Sequence, residues 1–249
     1  MRSPLVKCSV DDRGIGTVEM CDAHGKNALS EEFVAELTGG LQVLSEESNV
    51  KVVVLLGMPE VFCSGAPKSL LLQLADGGIA PSDILLPKVI LSIPLPLVAA
   101  MEGHAVGGGF ALGLCADFVI ISRESRYGCN FIDLGITPGM GTTRLLEQVL
   151  SPAIARELLY TGELRKGSEF ETHSGFNYVL PRALVAPKAF EMASRIADKP
   201  RAALETLKHG MSIRRRRIFE ETFELETSMH RKVLSDPETK RRIREEYVE

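Results

Sequence analysis

The sequence predicts an α/β protein with a mostly parallel sheet, followed by a C-terminal region made of helices. Continuous apolar runs such as VKVVVLLG (50–57) and DFVIIS (117–122) are typical of strands buried on both faces. Segments with helical spacing of apolar residues alternate with these runs, and this alternation favours parallel pairing. From about residue 183 the strand-like runs stop and only helix-like segments follow.

The elements can be predicted in chain order. Residues 5–20 resemble two strands around an Asp-Arg-Gly turn. A helix is expected to begin after Ser30, because glutamates follow it and apolar residues then recur at helical spacing. These apolar residues are Phe33, Leu37, Leu41 and Leu44. Later strands are expected at 50–57, 95–107 and 117–122. Four C-terminal helices are expected, separated by Pro or Gly, at 186–200, 201–212, 218–235 and 237–249.

Composition excludes several classes of protein. The 249 residues fit one large domain, or one domain with an appendage. A net charge of −4 and the absence of tryptophan argue against nucleic acid as a partner. The five cysteines are dispersed without a CxxC pair, so we expect reduced thiols, no metal site and a cytoplasmic location. No apolar run reaches the length of a membrane span, and the first residues do not resemble a signal peptide.

Three consecutive glycines stand in the segment HAVGGGFALGLCADF (104–118), between a strand-like run and a helix-like run. A helix N-terminus offers unpaired N–H groups, and glycine lets a ligand oxygen approach them. The segment lacks the Lys-Ser/Thr ending of a P-loop and the glycine spacing of a dinucleotide site. Close packing of helix on strand, with no ligand, explains the glycines equally well.

A second segment, VFCSGAPK (61–68), repeats this arrangement after another buried strand. Small residues again precede a helical turn. Two such segments could direct two N–H groups at one oxygen, which would form an oxyanion hole.

Three motifs together resemble the crotonase (enoyl-CoA hydratase/isomerase) superfamily. They are VFCSGA…K, PLVAAMEGHAVGGGFALGLCADFVI and YGCNFIDLGITPGMGTTRLL. The resemblance implies a right-handed spiral of β-β-α units over 1–182, and a helical region over 183–249 that caps the active site and assembles a homotrimer or hexamer. It also implies an oxyanion hole made by the backbone N–H groups of Ala66 and Gly108, which would hold a thioester carbonyl as it becomes an enolate.

The hydratases of this family use two glutamates, and both are missing here. The equivalent positions are Ala111 and Phe131, which cannot exchange a proton, so the resemblance does not support hydration. Asp133 is the nearest carboxylate that could serve an isomerase. A substrate that carries its own carboxylate would explain the missing glutamates, because like charges repel. An apolar pocket would favour loss of that carboxylate as CO₂.

One acid is then needed to protonate the resulting dienolate. The other histidines, at positions 24, 104, 173 and 209, occupy a polar loop, the glycine segment, a turn-rich stretch and an expected helix end. His230 lies on the face of a helix with Phe219, Phe223, Thr227 and Leu234. The side chain of His230 could face a pocket, or it could be a hydrogen-bonded core residue. Its ordinary pKa near 6.5 would suit proton donation.

Four further segments resemble the decarboxylating branch of the superfamily that acts in polyketide β-branching. They are SRESRYGCNF, TPGMGTT, SMHRKVL and RRIREEY. This resemblance implies a bacterial cytoplasmic enzyme that converts a 3-methylglutaconyl thioester on an acyl carrier protein, or on CoA, to a 3-methylcrotonyl thioester. It implies His230 as the acid, no cofactor apart from the phosphopantetheine that carries the substrate, and an acyl carrier protein as partner, with no nucleic acid or membrane involved.

The sequence departs from that branch at one position. Some members carry a lysine where this chain has Leu74. Lys68 could replace it in binding the carboxylate, or be a solvated surface lysine. Asn130 could bind the substrate, or stabilise a turn. The expected substrate-binding residues are Gly65, Lys68, Leu74, Gly107, Asn130 and Phe131.

Weaker expectations concern the carrier arm. The pantetheine or CoA is expected at Lys26, Ala28 and Ser64, with Lys208 approaching the phosphates from the tail. Tyr127 is expected in the core. The basic run 214–217 could dock an acidic carrier protein, or form a solvated helix edge.

Two alternatives to decarboxylation remain. One is an enoyl-thioester isomerase that uses His230 or Asp133. The other is a catalytically silent homologue that only binds carrier proteins. The position of the product double bond, set by protonation at Cα or Cγ, stays open.

Overall fold

A computed structural model describes residues 3–172 and 174–247 and contains two sheets. The strands are Val6–Val10 (β1), Ile15–Met20 (β2), Val52–Leu56 (β3), Val61–Cys63 (β4), Leu97–Met101 (β5), His104–Val106 (β6), Phe118–Ser122 (β7), Arg126–Gly128 (β8), Arg165–Lys166 (β9) and Tyr178–Leu180 (β10). The first sheet has the order β1-β2-β3-β5-β7-β10, and the second has the order β4-β6-β8-β9. Pairing is parallel except for β1 with β2 and β8 with β9.

Helices follow the strands and then dominate the C-terminal part. They are Glu31–Glu46 (α1), Lys68–Ala75 (α2), Leu86–Ser92 (α3), Gly108–Leu114 (α4), Thr142–Val149 (α5), Pro152–Thr161 (α6), Arg182–Ala197 (α7), Arg201–Val233 (α8) and Pro237–Glu245 (α9). Short 3-10 turns occur at Pro81–Asp83, Asn130–Leu134 and Gly167–Phe170. In the part of the chain that the structure describes, no helix is both long and apolar enough to cross a membrane.

The central strands β3, β5 and β7 of the six-stranded sheet are buried on both faces, as the continuous apolar runs predict. On β3, Val53 and Leu55 point into the main core, whereas Val52 and Val54 pack in a second cluster with α7. In that cluster, α7 presents alanines at helical spacing to the sheet. They are Ala189, Ala193 and Ala197.

Several predicted elements are confirmed. The first two strands form an antiparallel hairpin. Ser30 caps α1, because its side chain accepts a hydrogen bond from the N–H of Phe33 at 3.2 Å. The apolar residues predicted to face the core from α1 are buried.

Two predictions need correction. The strand expected at 95–107 is divided into β5 and β6, which belong to different sheets. The helix break expected at Gly210 is absent, since α8 is continuous over 33 residues. A glycine inside a helix costs only about 1 kcal/mol relative to alanine. Tertiary contacts on both sides of it offset that cost, including an ion pair from Lys208 and hydrogen bonds from Arg215.

The second sheet positions the loops of interest. Strands β4, β6 and β8 are parallel neighbours. Their carboxyl ends therefore meet at one edge, where loops in α/β proteins commonly bind ligands. The segments that follow them contain Gly65 and Ala66, the glycines 107–109, and Asn130 with Phe131.

Candidate active site

The loop after β4 holds Ala66 in a fixed orientation. Gly65 has φ = 94°, a conformation that favours glycine. Its carbonyl accepts a hydrogen bond from the N–H of Leu29 at 2.8 Å. Because C=O and N–H point in opposite directions across a trans peptide, the N–H of Ala66 points away from Leu29.

The glycines after β6 are each explained by the structure. Gly107 has φ = 55°. A methyl group on Gly108 would lie 2.8 Å from Sδ of Met140, and one on Gly109 would overlap the carbonyl of Cys63. The carbonyl of Gly107 accepts the N–H of Ala111 at 3.1 Å, so the N–H of Gly108 points outward from the start of α4. Close packing therefore accounts for Gly108 and Gly109, and the positive φ accounts for Gly107.

The two loops lie against each other. A methyl group built on Gly65 would lie 3.5 Å from the amide nitrogen of Gly108. Within the described residues, neither the N–H of Ala66 nor that of Gly108 donates a hydrogen bond to the protein. The two amides form a candidate oxyanion hole.

His230 lies near the C-terminus of α8, and its face of the helix is turned toward the protein. Its Nε2 is 2.9 Å from the carbonyl oxygen of Thr137, which can only accept, so Nε2 carries a proton. Burial lowers the pKa of His230 below its usual 6.5, although the hydrogen bond to Thr137 opposes this shift. The expectation of an ordinary pKa is therefore wrong.

One loop connects this histidine to the glycine segment. A methyl group on Gly139 would lie 3.1 Å from Cε1 of His230, and the next residue, Met140, packs on Gly108. Met140 has φ = 59°, which is rare for a residue with a side chain. The segment 137–141 thus contacts both the imidazole and the candidate oxyanion hole.

Glu226 anchors this loop, and the sequence analysis missed it. Its carboxylate accepts the N–H groups of Gly141 at 2.7 Å and Thr143 at 2.9 Å, which caps the N-terminus of α5. The side chain is buried, and burial raises its pKa to about 7 although both hydrogen bonds lower it. The available signal was its position one helical turn before His230.

Asn130 and Phe131 border the glycine segment. A methyl group on Gly107 would lie 3.3 Å from Oδ1 of Asn130 and 3.7 Å from the ring of Phe131. Ala111, one turn into α4, is buried. The two positions that carry glutamates in the hydratases are therefore an apolar wall here.

A separate apolar cluster lies near the C-terminus of the chain. It joins α2, the 3-10 turn Asn130–Leu134, the end of α8, and α9. Its buried members are Ala75, Leu134, Ile136, Leu234 and Ile243, with Leu71, Leu72, Leu74 and Tyr247 packed against them. Leu74 is half-buried and packs against this hydrophobic cluster.

Lys68 is turned toward the C-terminal segment. It is half-buried, and its Nζ donates to the main-chain carbonyl of Tyr247 at 3.4 Å. The alternative of a fully solvated surface lysine is wrong. A role in binding the substrate carboxylate stays a prediction.

The other acid–base candidates lie apart from this site. The carboxylate of Asp133 lies against Gly162 at the end of α6, where a methyl group would overlap it. His104 accepts the N–H of Arg126 at 2.8 Å and has a structural role. His24 is exposed, His209 is exposed beside Arg216, and position 173 lies outside the described residues. Tyr127 is fully buried and donates to the carbonyl of Met101, as expected for a core residue.

The expected pantetheine residues surround the loop after β4. Lys26 is exposed, and its carbonyl accepts the N–H of Ser64 at 3.2 Å, whereas Ala28 is half-buried. Asn27, which the sequence analysis missed, is fully buried with φ = 54°. Its amide donates to the carbonyl of Phe62 at 3.0 Å, which ties this loop to β4. The signal was residue type, because asparagine tolerates the left-handed region.

One tail expectation is wrong, and another is narrowed. Lys208 is only 6% exposed and forms an ion pair with Asp117, so it does not approach phosphates. Arg215 donates to the carbonyls of Ala116, at 2.8 Å, and Leu114 at the end of α4. Of the basic run, Arg214 and Arg217 remain exposed, and docking of a carrier protein by these two stays a prediction.

Metal and disulfide chemistry have no visible basis in the described ranges. No group of three or more His, Cys, Asp or Glu residues there has an arrangement that could hold a metal ion. The cysteines are free thiols, as predicted: Cys8, Cys21, Cys63, Cys115 and Cys129.

Comparisons with known proteins agree with this geometry. Residues 11–249 match the Enoyl-CoA hydratase/isomerase family. The chain is 37% identical over 244 residues to the bacillaene synthase decarboxylase PksI of Bacillus subtilis (strain 168), covering 98% of each protein.

Two solved structures are similar over 98% of this chain and their full length. One belongs to a dehydratase/decarboxylase enzyme couple involved in polyketide β-branching, with a TM-score of 0.94 and 36% identity. The other is the ECH2 decarboxylase domain of CurF from Lyngbya majuscula, with a TM-score of 0.92 and 34% identity. The chain is therefore an enzyme of the enoyl-CoA hydratase/isomerase family with the crotonase fold.

Proposed function

We propose that this enzyme decarboxylates a 3-methylglutaconyl-type thioester, carried on the phosphopantetheine of an acyl carrier protein, during polyketide β-branching. The product is a 3-methylcrotonyl-type thioester. One observation carries the proposal. The candidate oxyanion hole lies beside apolar residues, Ala111 and Phe131, at the positions of both hydratase glutamates. His230 and Gly108 both contact the loop 137–141. The decarboxylase relatives support it.

The reaction breaks the bond between C4 and the terminal carboxylate. CO₂ departs, and the electron pair moves through the C2–C3 double bond into the thioester carbonyl. This gives a dienolate whose negative charge lies on the oxygen bound by Ala66 and Gly108. Loss of one such N–H donor typically raises a barrier by about 2.7–4 kcal/mol. No other electron acceptor is needed, so we propose that the enzyme uses no cofactor.

His230 supplies the proton that completes the product. Its Nε2–H is engaged by the carbonyl of Thr137, so the proton that titrates and leaves is the one on Nδ1. Delivery to C4 gives the 3-methylcrotonyl thioester, and delivery to C2 gives its isomer with a terminal double bond. The imidazolium is re-formed by a proton from solvent in each cycle.

The apolar cluster that includes Leu74 promotes loss of the carboxylate. A carboxylate next to leucine side chains loses its hydration, whereas the dienolate is stabilised by two amides. Lys68, whose Nζ also donates to the carbonyl of Tyr247, would bind the carboxylate before this loss.

We propose a carrier-bound substrate in preference to free CoA. Lys208, the tail residue expected at the CoA phosphates, is buried in an ion pair. Among the residues expected at the pantetheine, Lys26 is then the basic one, beside Ala28 and Ser64. Arg214 and Arg217 supply exposed positive charge for an acidic carrier.

We also propose that residues 183–249 assemble the enzyme as a homotrimer. Large apolar side chains are exposed on one helix, α8, which is unusual for a monomer surface. They are Leu207, Met211, Ile213 and Leu225. Light scattering coupled to size-exclusion chromatography would give a mass near three chains, and a monomer mass would contradict the assignment.

The decisive test is CO₂ release from carrier-bound 3-methylglutaconyl thioester. His230→Gln removes the acid, and Ser228→Ala, an exposed change on the same helix, is the matched control. We expect CO₂ release to fall about 10²-fold or more in the first variant and to stay unchanged in the second. A double-bond shift without CO₂ would indicate an isomerase, and tight carrier binding without turnover would indicate a silent homologue.

A further inference from the structure

The C-terminal segment reaches the first residue of the candidate oxyanion hole. After α9, the hydroxyl of Tyr247 donates to the main-chain carbonyl of Ala66 at 2.6 Å, across 181 residues of sequence. This is the carbonyl of the same residue whose N–H belongs to the candidate oxyanion hole.

Tyr247 is itself held in place by three kinds of contact. Its ring packs in the apolar cluster, its carbonyl accepts Nζ of Lys68, and α9 lies along α2. Arg244 of α9 also pairs with Asp76 at the end of α2, at 3.0 Å. The packing of α9 on α2 therefore places the phenol of Tyr247 beside Ala66.

The carbonyl of Ala66 needs this donor. The following residue is Pro67, and the first turn of α2 directs its N–H groups to the carbonyl of Pro67. Within the described ranges, no backbone N–H donates to the carbonyl of Ala66. Tyr247 thus supplies the hydrogen bond that fixes the 66–67 peptide plane.

The peptide plane on the other side of Ala66 is fixed as well, because the carbonyl of Gly65 accepts the N–H of Leu29. The Ala66 N–H lies in the 65–66 plane, and holding the 66–67 plane as well restrains both backbone dihedrals of Ala66, so the N–H keeps its position before substrate binds. Stabilisation of an oxyanion depends on such preorganisation, since hydrogen bonds weaken steeply when misaligned.

We propose that Tyr247 is a positioning residue that orients the Ala66 amide toward the thioester oxygen. This inference rests on the proposed function. The C-terminal segment would then act on the transition state through the oxyanion hole, without touching the substrate.

Tyr247→Phe tests this, because it removes the hydroxyl and keeps the ring. Tyr160→Phe, at a tyrosine that is 80% exposed, is the matched control. Three quantities are measured at a temperature well below unfolding: kcat and KM for CO₂ release, and the ¹³C shift of the thioester carbonyl of bound 3-methylcrotonyl thioester. A residue that only stabilises the fold would leave the carbonyl shift unchanged.

For Tyr247→Phe we expect kcat to fall about tenfold, KM to stay within about twofold, and the downfield carbonyl shift to shrink. Tyr160→Phe should match the wild type in all three. Wild-type kcat and carbonyl shift in Tyr247→Phe would overturn the role of Tyr247 and leave the proposed function intact. A wild-type protein that releases no CO₂ and shifts no carbonyl would overturn both.

Discussion

Replacement of Glu226 by glutamine tests how the loop beside His230 is held. The carboxylate is 2% exposed, and each of its oxygens accepts one N–H, from Gly141 or Thr143. Burial raises its pKa from 4.5 to about 7 in the folded protein. Glutamine has the same shape, does not titrate, and offers one acceptor oxygen in place of two.

The size and sign of the pH effect follow from this shift. A carboxyl whose folded pKa is raised stabilises the fold fully below its unfolded pKa, and this contribution is lost as pH rises through the folded pKa. The shift from 4.5 to about 7 corresponds to about 3 kcal/mol in total, of which about 2–3 kcal/mol falls between pH 5 and pH 8. Glu226→Gln removes this pH dependence.

The substitution also leaves one amide, that of Gly141 or Thr143, without an acceptor. This costs about 1–3 kcal/mol at every pH. We therefore expect the wild type to be more stable than Glu226→Gln at pH 5 by about that amount. The difference should shrink by about 2–3 kcal/mol at pH 8, which brings the two proteins level or reverses their order.

Urea unfolding at several pH values between 5 and 8 measures these differences. Glu224→Gln, an exposed change on the same helix, is the control and should run parallel to the wild type. If Glu226→Gln also ran parallel to the wild type, Glu226 would titrate alike in the folded and unfolded states, and the reasoning from burial would be refuted.

Three further predictions concern the site and its support. The pH profile of CO₂ release should contain an ionisation below 6.5, and activity should fall as pH rises through it, because His230 must be protonated to act and burial lowers its pKa. If the same ionisation persisted in His230→Gln, it would belong to another group. Lys208→Met should lower the free energy of unfolding in urea by about 3 kcal/mol, since Asp117 loses its buried partner, whereas a neutral result would show that water replaces the ammonium. Gly109→Ala should destabilise the protein by about 1–3 kcal/mol and reduce CO₂ release at least tenfold, because the new methyl group overlaps the carbonyl of Cys63 and displaces α4. Gly39→Ala is the control: Gly39 has open space around it, so this variant should unfold no more easily than the wild type.

Elements that depend on local pattern could be predicted from the sequence. Strand β3 is apolar throughout because both faces are buried, and α1 shows its core face and its Ser30 cap directly. The loops after β4 and β6 could be located because glycine is needed where Gly65 and Gly107 adopt positive φ.

Features that depend on distant partners could not be predicted. The continuity of α8 through Gly210 depends on Asp117, which lies 91 residues from Lys208 in the chain. Glu226 and Tyr247 show no periodicity or motif of their own, since their roles arise from amide and carbonyl groups 83 to 181 residues away. The lowered pKa of His230 likewise follows from burial, which residue type does not reveal.

Because α8 is continuous, the number of residues in it determines where the imidazole of His230 lies. Each residue of an α-helix turns the chain by about 100°, so Lys208 and His230 keep a fixed angular relation. Insertion of one residue between Phe219 and His230 would swing the imidazole about a quarter of a circle away from Thr137 while the earlier turns stayed in place. A whole-turn insertion would restore the angle and displace the ring by about 5 Å along the axis. The number of residues between Phe219 and His230 is therefore as restricted as the identity of the residues themselves.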